Sequence, residues 1–471
     1  MKMLKRSMSV FGVIVMLLGL GAGGWANGEN DHKNLKKKHP FFPSLLSTKG
    51  GREIQSSDFT DPEDCGGCHD AIYEQWNGSM HSNAWVDPVF RSLWKMGSKE
   101  TDGLIDNLCA GCHSPIGMTS GELTFNKEKD EFEVGELAAK GVQCDFCHTI
   151  AGTTFLETPT HEPQNGSLIM DPGDVKRGPF KDSESPGHET AYSELHTKAE
   201  FCGSCHHVFH PVSNFPIERT YDEWKHSVYA DNDIVCQDCH MMPVEKAIEV
   251  AKTMEKPKNP GRATEDAPLR DTIYTHEFVG GNFTVTKLLG ADKHAEIAQE
   301  RLKSAAELEL TAPESVEAGE LVTVKVRVIN VGAGHNLPTS LTEVRQMWLD
   351  VAVTDAKGNE VYRTGALDKD HNIQPDSVIF HASAVDKDGH HTYKPWEIVR
   401  FEYNKTIPPK GSSTEKFMFQ APRTVKGPLK VAVKLRYRSY PQSVANLLLG
   451  KDAPVLPIVD MKSANTTVVV K

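Results

Sequence analysis

Hydrophobic and polar residues follow different patterns before and after residue 308. Beyond it, apolar and polar residues alternate along 322–328 and 429–435, and more loosely along 348–353. Alternation with a period of two predicts strands that bury one face. Turn signals at 356–359 and 408–411 separate these strands. We therefore predict an immunoglobulin-like β-sandwich over residues 308–471.

Regular patterns are sparse before residue 308. Apolar residues at helical spacing predict a helix from Ala291 to Leu308, and a shorter one is predicted from Pro243 to Met254. Five prolines between Glu157 and Gly187 predict a stretch that is mostly loop. Residues 61–307 should therefore form an irregular, partly helical domain, and the whole chain should have an α+β fold.

The N-terminus has the pattern of a secretory signal over residues 1–26. A basic start precedes an apolar run, and Gly24-Trp25-Ala26 offers small residues for cleavage. An uncleaved membrane anchor is the alternative. No later apolar run approaches the length of a membrane helix, so no integral membrane segment is expected after cleavage. Residues 27–60 are polar and predict a solvated N-terminal arm.

Ten cysteines occur in 471 residues, and all ten fall in five C-x-x-C-H motifs. This motif is the attachment signature of c-type haem, in which the two thiols form thioethers and the histidine binds the iron. Disulfide scaffolds and zinc ribbons do not place a histidine after every second cysteine. The predicted thioether residues are Cys65, Cys68, Cys109, Cys112, Cys144, Cys147, Cys202, Cys205, Cys236 and Cys239. The predicted proximal iron ligands are His69, His113, His148, His206 and His240.

Five haem c groups would also explain the composition of the chain. Only 38% of the residues are hydrophobic and 8% aromatic, which is little for a core made of side chains alone. Since the motifs follow one another closely, the haems should pack together and share walls. A net charge of -12 disfavours nucleic acid as a partner. Two Tyr-x-x-Trp segments, Tyr73–Trp76 and Tyr221–Trp224, predict a repeated packing unit near two of the motifs.

A second histidine on an iron closes it to substrate and favours electron transfer. His81 follows the first motif by the length of a helix, and His335 lies in a loop framed by glycine and proline. The pairing of candidates with haems stays open at this stage, as does the presence of one open iron. The distal candidates are His81, His188, His276, His335, His207 and His161.

These residues also carry a family resemblance. The first motif, followed by Tyr73, Trp76, Ser79 and His81, resembles the opening of the cytochrome c-554/c-prime group of multihaem cytochromes. Three later segments resemble larger secreted multihaem cytochromes of metal- and sulfur-respiring bacteria, namely those around His188, His276 and His335. The resemblance implies a periplasmic or extracellular electron carrier with mostly bis-histidine haems.

Two functions follow from the sequence. The favoured one is an electron carrier in anaerobic respiration that exchanges electrons with other cytochromes or a quinol-oxidising membrane complex. The alternative is an oxidoreductase that acts on a small nitrogen or sulfur oxyanion at one open haem. The C-x-x-C-K motif usual in pentahaem nitrite reductases is absent from the sequence, so no catalytic residue is assigned. A homo-oligomer or filament with a haem ligated across the interface stays an open alternative.

Overall fold

The computed structural model describes residues 39–450 and 453–471. The predicted signal at residues 1–26 and most of the predicted arm lie outside the described residues. No helix in the described ranges is long and apolar enough to cross a membrane.

The first part of the chain is built from short helices joined by long connections. The α-helices are Pro62–Gly66, Asp70–Trp76, Pro88–Glu100, Asp106–His113, Pro115–Ser120, Cys144–His148, Ala199–Gly203, Thr220–Lys225, Val228–Asp231, Gln237–His240, Val244–Thr253, Phe283–Leu288 and Asp292–Ala305. Turns of 3-10 helix occur at Lys49–Gly51, Ser56–Asp58, Ala138–Lys140, Phe155–Glu157 and Glu194–Thr197.

Small sheets lie between these helices. One has three strands, with Leu168–Met170 pairing in parallel with Ser47–Thr48 and antiparallel with Ile150–Thr153. Three further sheets have two strands each, and they pair Leu123–Asn126 with Glu131–Val134, Val175–Gly178 with Glu189–Tyr192, and Val208–Phe209 with Pro216–Glu218. A hydrophobic core around Trp85, Trp94 and Ile116 supports this part.

Two larger sheets form after residue 305, and the α+β class is confirmed. The first sheet orders its strands Ala306–Thr311, Leu321–Asn330 and Ser412–Gln420. The second orders Ser315–Val316, Val459–Val470, Gly427–Arg438, Gln346–Thr354 and Glu360–Thr364, with Ile379–Phe380 also on Gln346–Thr354. A separate pair joins Ala382–Val385 with Arg400–Asn404, and one helix, Gln442–Leu449, interrupts the strands.

The inward residues of both large sheets share one core. Val324 and Val326 of the first sheet belong to the same buried cluster as Leu349, Val351 and Val433 of the second. Alternate residues of these strands are buried, as a period of two requires. The three alternating segments found in the sequence are therefore strands, as predicted. The immunoglobulin-like assignment and the boundary at residue 308 stay predictions.

The helix predicted to run to Leu308 is shorter in the structure. It ends at Ala305, and Ala306 begins a strand in which Leu308 pairs with Val328. Leu308 packs against the core from the strand. Its apolar side chain therefore fitted the helical spacing in the sequence as well as the strand found in the structure. The prediction for Pro243 to Met254 is confirmed by a helix at Val244–Thr253.

Part of the predicted solvated arm is packed into the fold. Leu45 and Leu46 are 2% and 0% exposed, and Ile54 is 5% exposed. The strand Ser47–Thr48 pairs with Ile169–Met170. The prediction was wrong for residues 41–48, where a few buried apolar side chains fix a segment whose average composition is polar, whereas residues 49–53 are exposed.

The repeated Tyr-x-x-Trp segments form similar packing units. The ring centres of Tyr73 and Trp76 are 5.8 Å apart, and the angle between their planes is 44°. The corresponding values for Tyr221 and Trp224 are 5.6 Å and 40°. Each tyrosine covers a motif glycine, and a Cβ there would lie within 2.8 Å of the ring, at Gly66 and Gly203. The glycines therefore allow the aromatic pair to pack directly on the motif.

The two parts of the chain meet along the helix Pro88–Glu100. The Trp396 indole donates to a carboxylate oxygen of Glu100 at 2.9 Å, and Lys394 pairs with the same carboxylate at 2.8 Å. A Cβ on Gly97 would lie 2.8 Å from the Trp396 ring. The interface is therefore closely packed and places residues of the sheet region beside the motifs.

Candidate haem sites

One connected cavity of about 2580 Å³ runs through the motif region. Cysteines and histidines from all five motifs line it, together with residues of the sheet region such as Leu337, Tyr393 and Tyr440. Each motif lies on or beside a short helix, where residues three and four apart share a face. Paired thiols with an adjacent imidazole on one face of a cavity are the donor set that covalent haem requires.

Four of the motif histidines are oriented by a backbone carbonyl. The Nδ1 atoms lie 2.7–3.0 Å from these oxygens, in the pairs His69 with Ala263, His113 with Ala84, His148 with Arg177 and His240 with Val279. A hydrogen bond at Nδ1 leaves Nε2 free to bind a metal. Burial lowers the pKa of His113 to about 4 and that of His240 to about 3. Burial thus favours the neutral form of these two rings, which metal ligation requires.

Four of the motif histidines face another histidine across the cavity, and His148 has a further stacked neighbour in His196, at 5.7 Å, whose Nε2 lies 3.0 Å from the Cys147 carbonyl. The ring centres are 6.4 Å apart for His69 and His188, for His81 and His206, and for His148 and His276, and 6.1 Å apart for His240 and His335. Interplanar angles lie between 14° and 30°. Two imidazoles that bind the same metal from opposite sides, each at about 2.0 Å, have ring centres roughly 6 Å apart. All four spacings fit a metal between the rings.

Local backbone contacts hold these facing histidines in place. The His81 carbonyl accepts from Val142 N at 2.9 Å, and Gly141 lies so close that a Cβ there would be 2.5 Å from the same oxygen. The backbone N–H of His276 donates to the Gln75 side chain at 2.9 Å. His335 is fixed by the Asn330 side chain, which donates to its carbonyl at 2.9 Å.

His113 has a different neighbour. The Phe90 ring lies face to face with it, with ring centres 3.5 Å apart and planes within 6°. Within the described ranges, no second histidine ring pairs with His113. The second motif therefore differs from the other four in the residues around its histidine.

Two of the six distal candidates do not face a motif histidine. His207 is buried with its Nδ1 3.0 Å from the Pro163 carbonyl, and its ring contacts Phe209 and Tyr221. It directly follows His206, and its ring is turned toward its own packing cluster. His161 is exposed and has a positive φ of 57°, and its Nδ1 lies 3.0 Å from the Leu156 carbonyl. Local backbone contacts thus direct both rings away from the opposed pairs.

Contacts between cysteines show which motifs are neighbours. The thiol of Cys144 is hydrogen-bonded with that of Cys65, and this contact together with burial raises its pKa. Similar thiol contacts join the second motif to the fourth and the fourth to the fifth, through Cys112 with Cys205 and Cys202 with Cys236. Motifs that are distant in sequence are therefore adjacent in space, and the fourth motif has the most neighbours.

Buried carboxyl groups near the motifs were missed by the sequence analysis. Burial raises the pKa of Glu223 to about 8 and that of Glu343 to about 7. Both carboxylate oxygens of Glu343 and one of Glu218 are buried without a hydrogen-bond partner. No spacing or motif marks these glutamates, because their burial depends on loops from both parts of the chain.

Comparisons with known proteins agree with this arrangement. Residues 64–149 match the family model for cytochrome c554 and c-prime. The structure is similar to a penta-heme cytochrome c552 from Thermochromatium tepidum, with a TM-score of 0.56 and 16% sequence identity. That similarity covers 87% of this chain and 99% of the other, so the two proteins share a fold.

Other similarities are weaker. The CARDB domain of a Pyrococcus furiosus protein was solved in complex with di-metal ions. Its match covers 35% of this chain and 87% of the CARDB chain, at 13% sequence identity. Its TM-score is 0.18, which is too low to support an argument. No curated protein matches the sequence.

Proposed function

We propose that this chain, a multihaem c-type cytochrome of the c554 group, carries electrons through five covalently attached haems outside the cytoplasm. The observation that carries the proposal is the set of four opposed histidine pairs around one connected cavity. When bound, the haems supply the one-electron chemistry. The motif cysteines and the opposed histidines would hold them and orient their axial ligands.

The proposed axial ligands follow from the ring spacings. His188, His81, His276 and His335 oppose the histidines of the first, fourth, third and fifth motifs in that order. Two histidine ligands leave no open position on an iron, which favours electron transfer over substrate binding. Thiol contacts support an order in which the first motif adjoins the third, while the second and fifth both adjoin the fourth.

The proposed location and partners rest on the sequence. The N-terminal signal pattern and the haem-attachment motifs together support export to the periplasm or beyond the cell. A carrier there would exchange electrons with other cytochromes or a quinol-oxidising membrane complex, in anaerobic respiration. The net charge of -12 favours partners with basic docking surfaces.

A second candidate function is favoured by one observation. His113 is paired with Phe90 and not with a second histidine among the described residues. A haem with one axial histidine can bind a small molecule. The alternative is therefore an oxidoreductase that acts on a nitrogen or sulfur oxyanion at the second motif, fed with electrons by the other four.

Mass spectrometry and low-temperature EPR of the purified holoprotein test both functions. We expect five thioether-linked haems, four of them low-spin and unaffected by cyanide. The second-motif haem should be high-spin and should bind about one cyanide per chain. If nitrite also shifts that signal, the oxidoreductase gains support. Five low-spin haems whose signals change with neither ligand would rule out the oxidoreductase and leave electron transfer as the function. An absence of thioether-linked haem would contradict both functions.

A further inference from the structure

Four side chains form a continuous hydrogen-bonded chain between two buried carboxyl groups. An oxygen of Glu218 contacts the Thr220 hydroxyl, which lies 2.9 Å from the Thr339 hydroxyl. The Thr339 hydroxyl is in turn 2.5 Å from an oxygen of Glu223. Three oxygen-to-oxygen contacts therefore link one glutamate to the other, and they cross from the motif region to the sheet region.

The number of protons in this chain is fixed by the chemistry of its members. Each of the three contacts needs one proton, and a threonine hydroxyl supplies only one. Thr220 and Thr339 together supply two. If both glutamates were ionised, each hydroxyl would donate to its own carboxylate, and the contact between the hydroxyls would contain no proton. One carboxyl proton completes all three contacts, with every donor pointing the same way along the chain.

The surroundings also disfavour two negative charges. Glu218 is 5% exposed, its second carboxylate oxygen has no hydrogen-bond partner, and burial raises the pKa of Glu223 to about 8. The charged and titratable groups that act on the pair are Arg219, His207 and Glu343, and Cys205 carries no charge once it forms its proposed thioether. Arg219 already pairs with Asp222 at 2.7 Å, so it only partly offsets the buried carboxylates.

The chain of contacts lies between two proposed iron-ligand segments. Glu218 ends a strand that pairs with Val208, just after His206. At the other end, Glu223 also accepts from Asn336 N at 3.2 Å, next to His335. Glu218, Thr220 and Thr339 all line the cavity that contains the motifs.

We propose that Glu218, Thr220, Thr339 and Glu223 form a site that binds one shared proton, whose occupancy is linked to the charge of the neighbouring haems. If the fourth or fifth haem held an electron, its charge would raise the affinity of this site for the proton, so the site would stay filled up to a higher pH than it does beside oxidised haems. In the pH range where the site is empty beside oxidised haems and filled beside reduced ones, the gain of one electron would be balanced by the gain of one proton. Linkage is reciprocal, so a bound proton must also raise the potential of those haems.

Infrared difference spectroscopy of the holoprotein tests the shared proton without any electron transfer. In a Glu343→Gln background, which removes another buried carboxyl group with a raised pKa, a protonated-carboxyl band should appear at neutral pH, and adding Glu218→Gln should abolish it. The amide of that variant can donate to Thr220, so the chain is complete without a carboxyl proton and folding is preserved. Thr220→Ser keeps the hydroxyl and should retain the band position, whereas Thr220→Val should shift it. Glu128→Gln, an exposed control, should change nothing.

Redox titration at several pH values tests the linkage, which rests on the proposed function. In the wild type, one or two haem potentials should fall with rising pH, with a slope of up to about 59 mV per pH unit for one proton per electron. The slope should vanish in Glu218→Gln and persist in Thr220→Ser. An unchanged band in Glu218→Gln would contradict the shared proton, and pH-independent wild-type potentials would contradict the linkage. If the protein proved not to carry electrons, the infrared result on the shared proton would still stand, so the two failures can be told apart.

Discussion

The imidazole rings of His240 and His335 lie 6.1 Å apart and within 14° of parallel. One ring belongs to the fifth motif, and the other comes from a loop between strands of the two large sheets. The Asn330 side chain ties this loop to the sheets by donating to the carbonyls of His335 and Ile407. The sheet region therefore supplies part of a proposed haem site and also covers the cavity.

Replacing His335 should open the fifth haem. His335→Ala removes the ring that faces His240, so we expect one additional high-spin haem by EPR and one additional cyanide bound per chain. His390→Ala is the control, because His390 is exposed in a turn of the same region and faces no motif. An unchanged spin state in His335→Ala would show that another group ligates this iron.

The close packing between the two parts of the chain predicts a stability effect at Gly97. In Gly97→Ala the added Cβ would lie 2.4 Å from the Ile105 side chain and 2.8 Å from the Trp396 ring. Overpacking of this kind typically costs about 1–3 kcal/mol. Gly152→Ala is the control, because its added Cβ would meet only the Ile169 side chain, at an ordinary contact distance of 3.6 Å. Urea unfolding followed by circular dichroism should give a lower midpoint for Gly97→Ala only, and equal midpoints would mean that the interface relaxes.

Much of the site could be predicted from the sequence because haem attachment uses a short local motif. All ten cysteines and five motif histidines are identified by spacing alone. The facing histidines depend on tertiary structure, and among the six candidates the glycine and proline around His335 only favoured it over His207. The difference arises from backbone contacts such as the one between His207 Nδ1 and the Pro163 carbonyl. Phe90 carries no signal at all, because its role depends on contact with His113.

In the fold, too, features set by local sequence pattern were predicted, and features set by tertiary contacts were not. Alternating patterns located the long strands, since one buried face imposes a period of two. The prediction failed for Leu45 and Leu46, which are buried in a segment of polar composition. It also failed at the end of the helix Asp292–Ala305, where the pairing of Ala306 with Asn330 overrides helical periodicity.

Glu343 should make the stability of the protein depend on pH. Burial raises its pKa from 4.5 to about 7, so the folded state keeps a proton that the unfolded state loses. The free energy of unfolding should therefore fall as pH rises from about 4.5 to about 7, by up to about 3 kcal/mol. Glu343→Gln carries no charge and should lose this part of the decrease.

Urea unfolding of the holoprotein at pH 5 and pH 8 measures this effect. The drop in unfolding free energy between the two pH values should be smaller in Glu343→Gln than in the wild type. Glu128→Gln replaces an exposed carboxylate and should behave like the wild type. Identical drops in all three proteins would mean that Glu343 becomes accessible to solvent when it ionises.

Gly141 should control the position of His81, the histidine that faces the fourth motif. Gly141 has a φ of +68°, and an added Cβ would lie 2.5 Å from the His81 carbonyl and 2.9 Å from that of Ser82. Gly141→Ala should therefore displace the His81 segment and convert part of the fourth haem to a high-spin form. Gly121→Ala separates the two causes, because Gly121 has a φ of +77° but nothing within 4 Å of its added Cβ. Both variants should lose stability through backbone strain, and only Gly141→Ala should change the EPR spectrum. A spectral change in both would assign the effect to general destabilisation, and a change in neither would mean that His81 is held independently of Gly141.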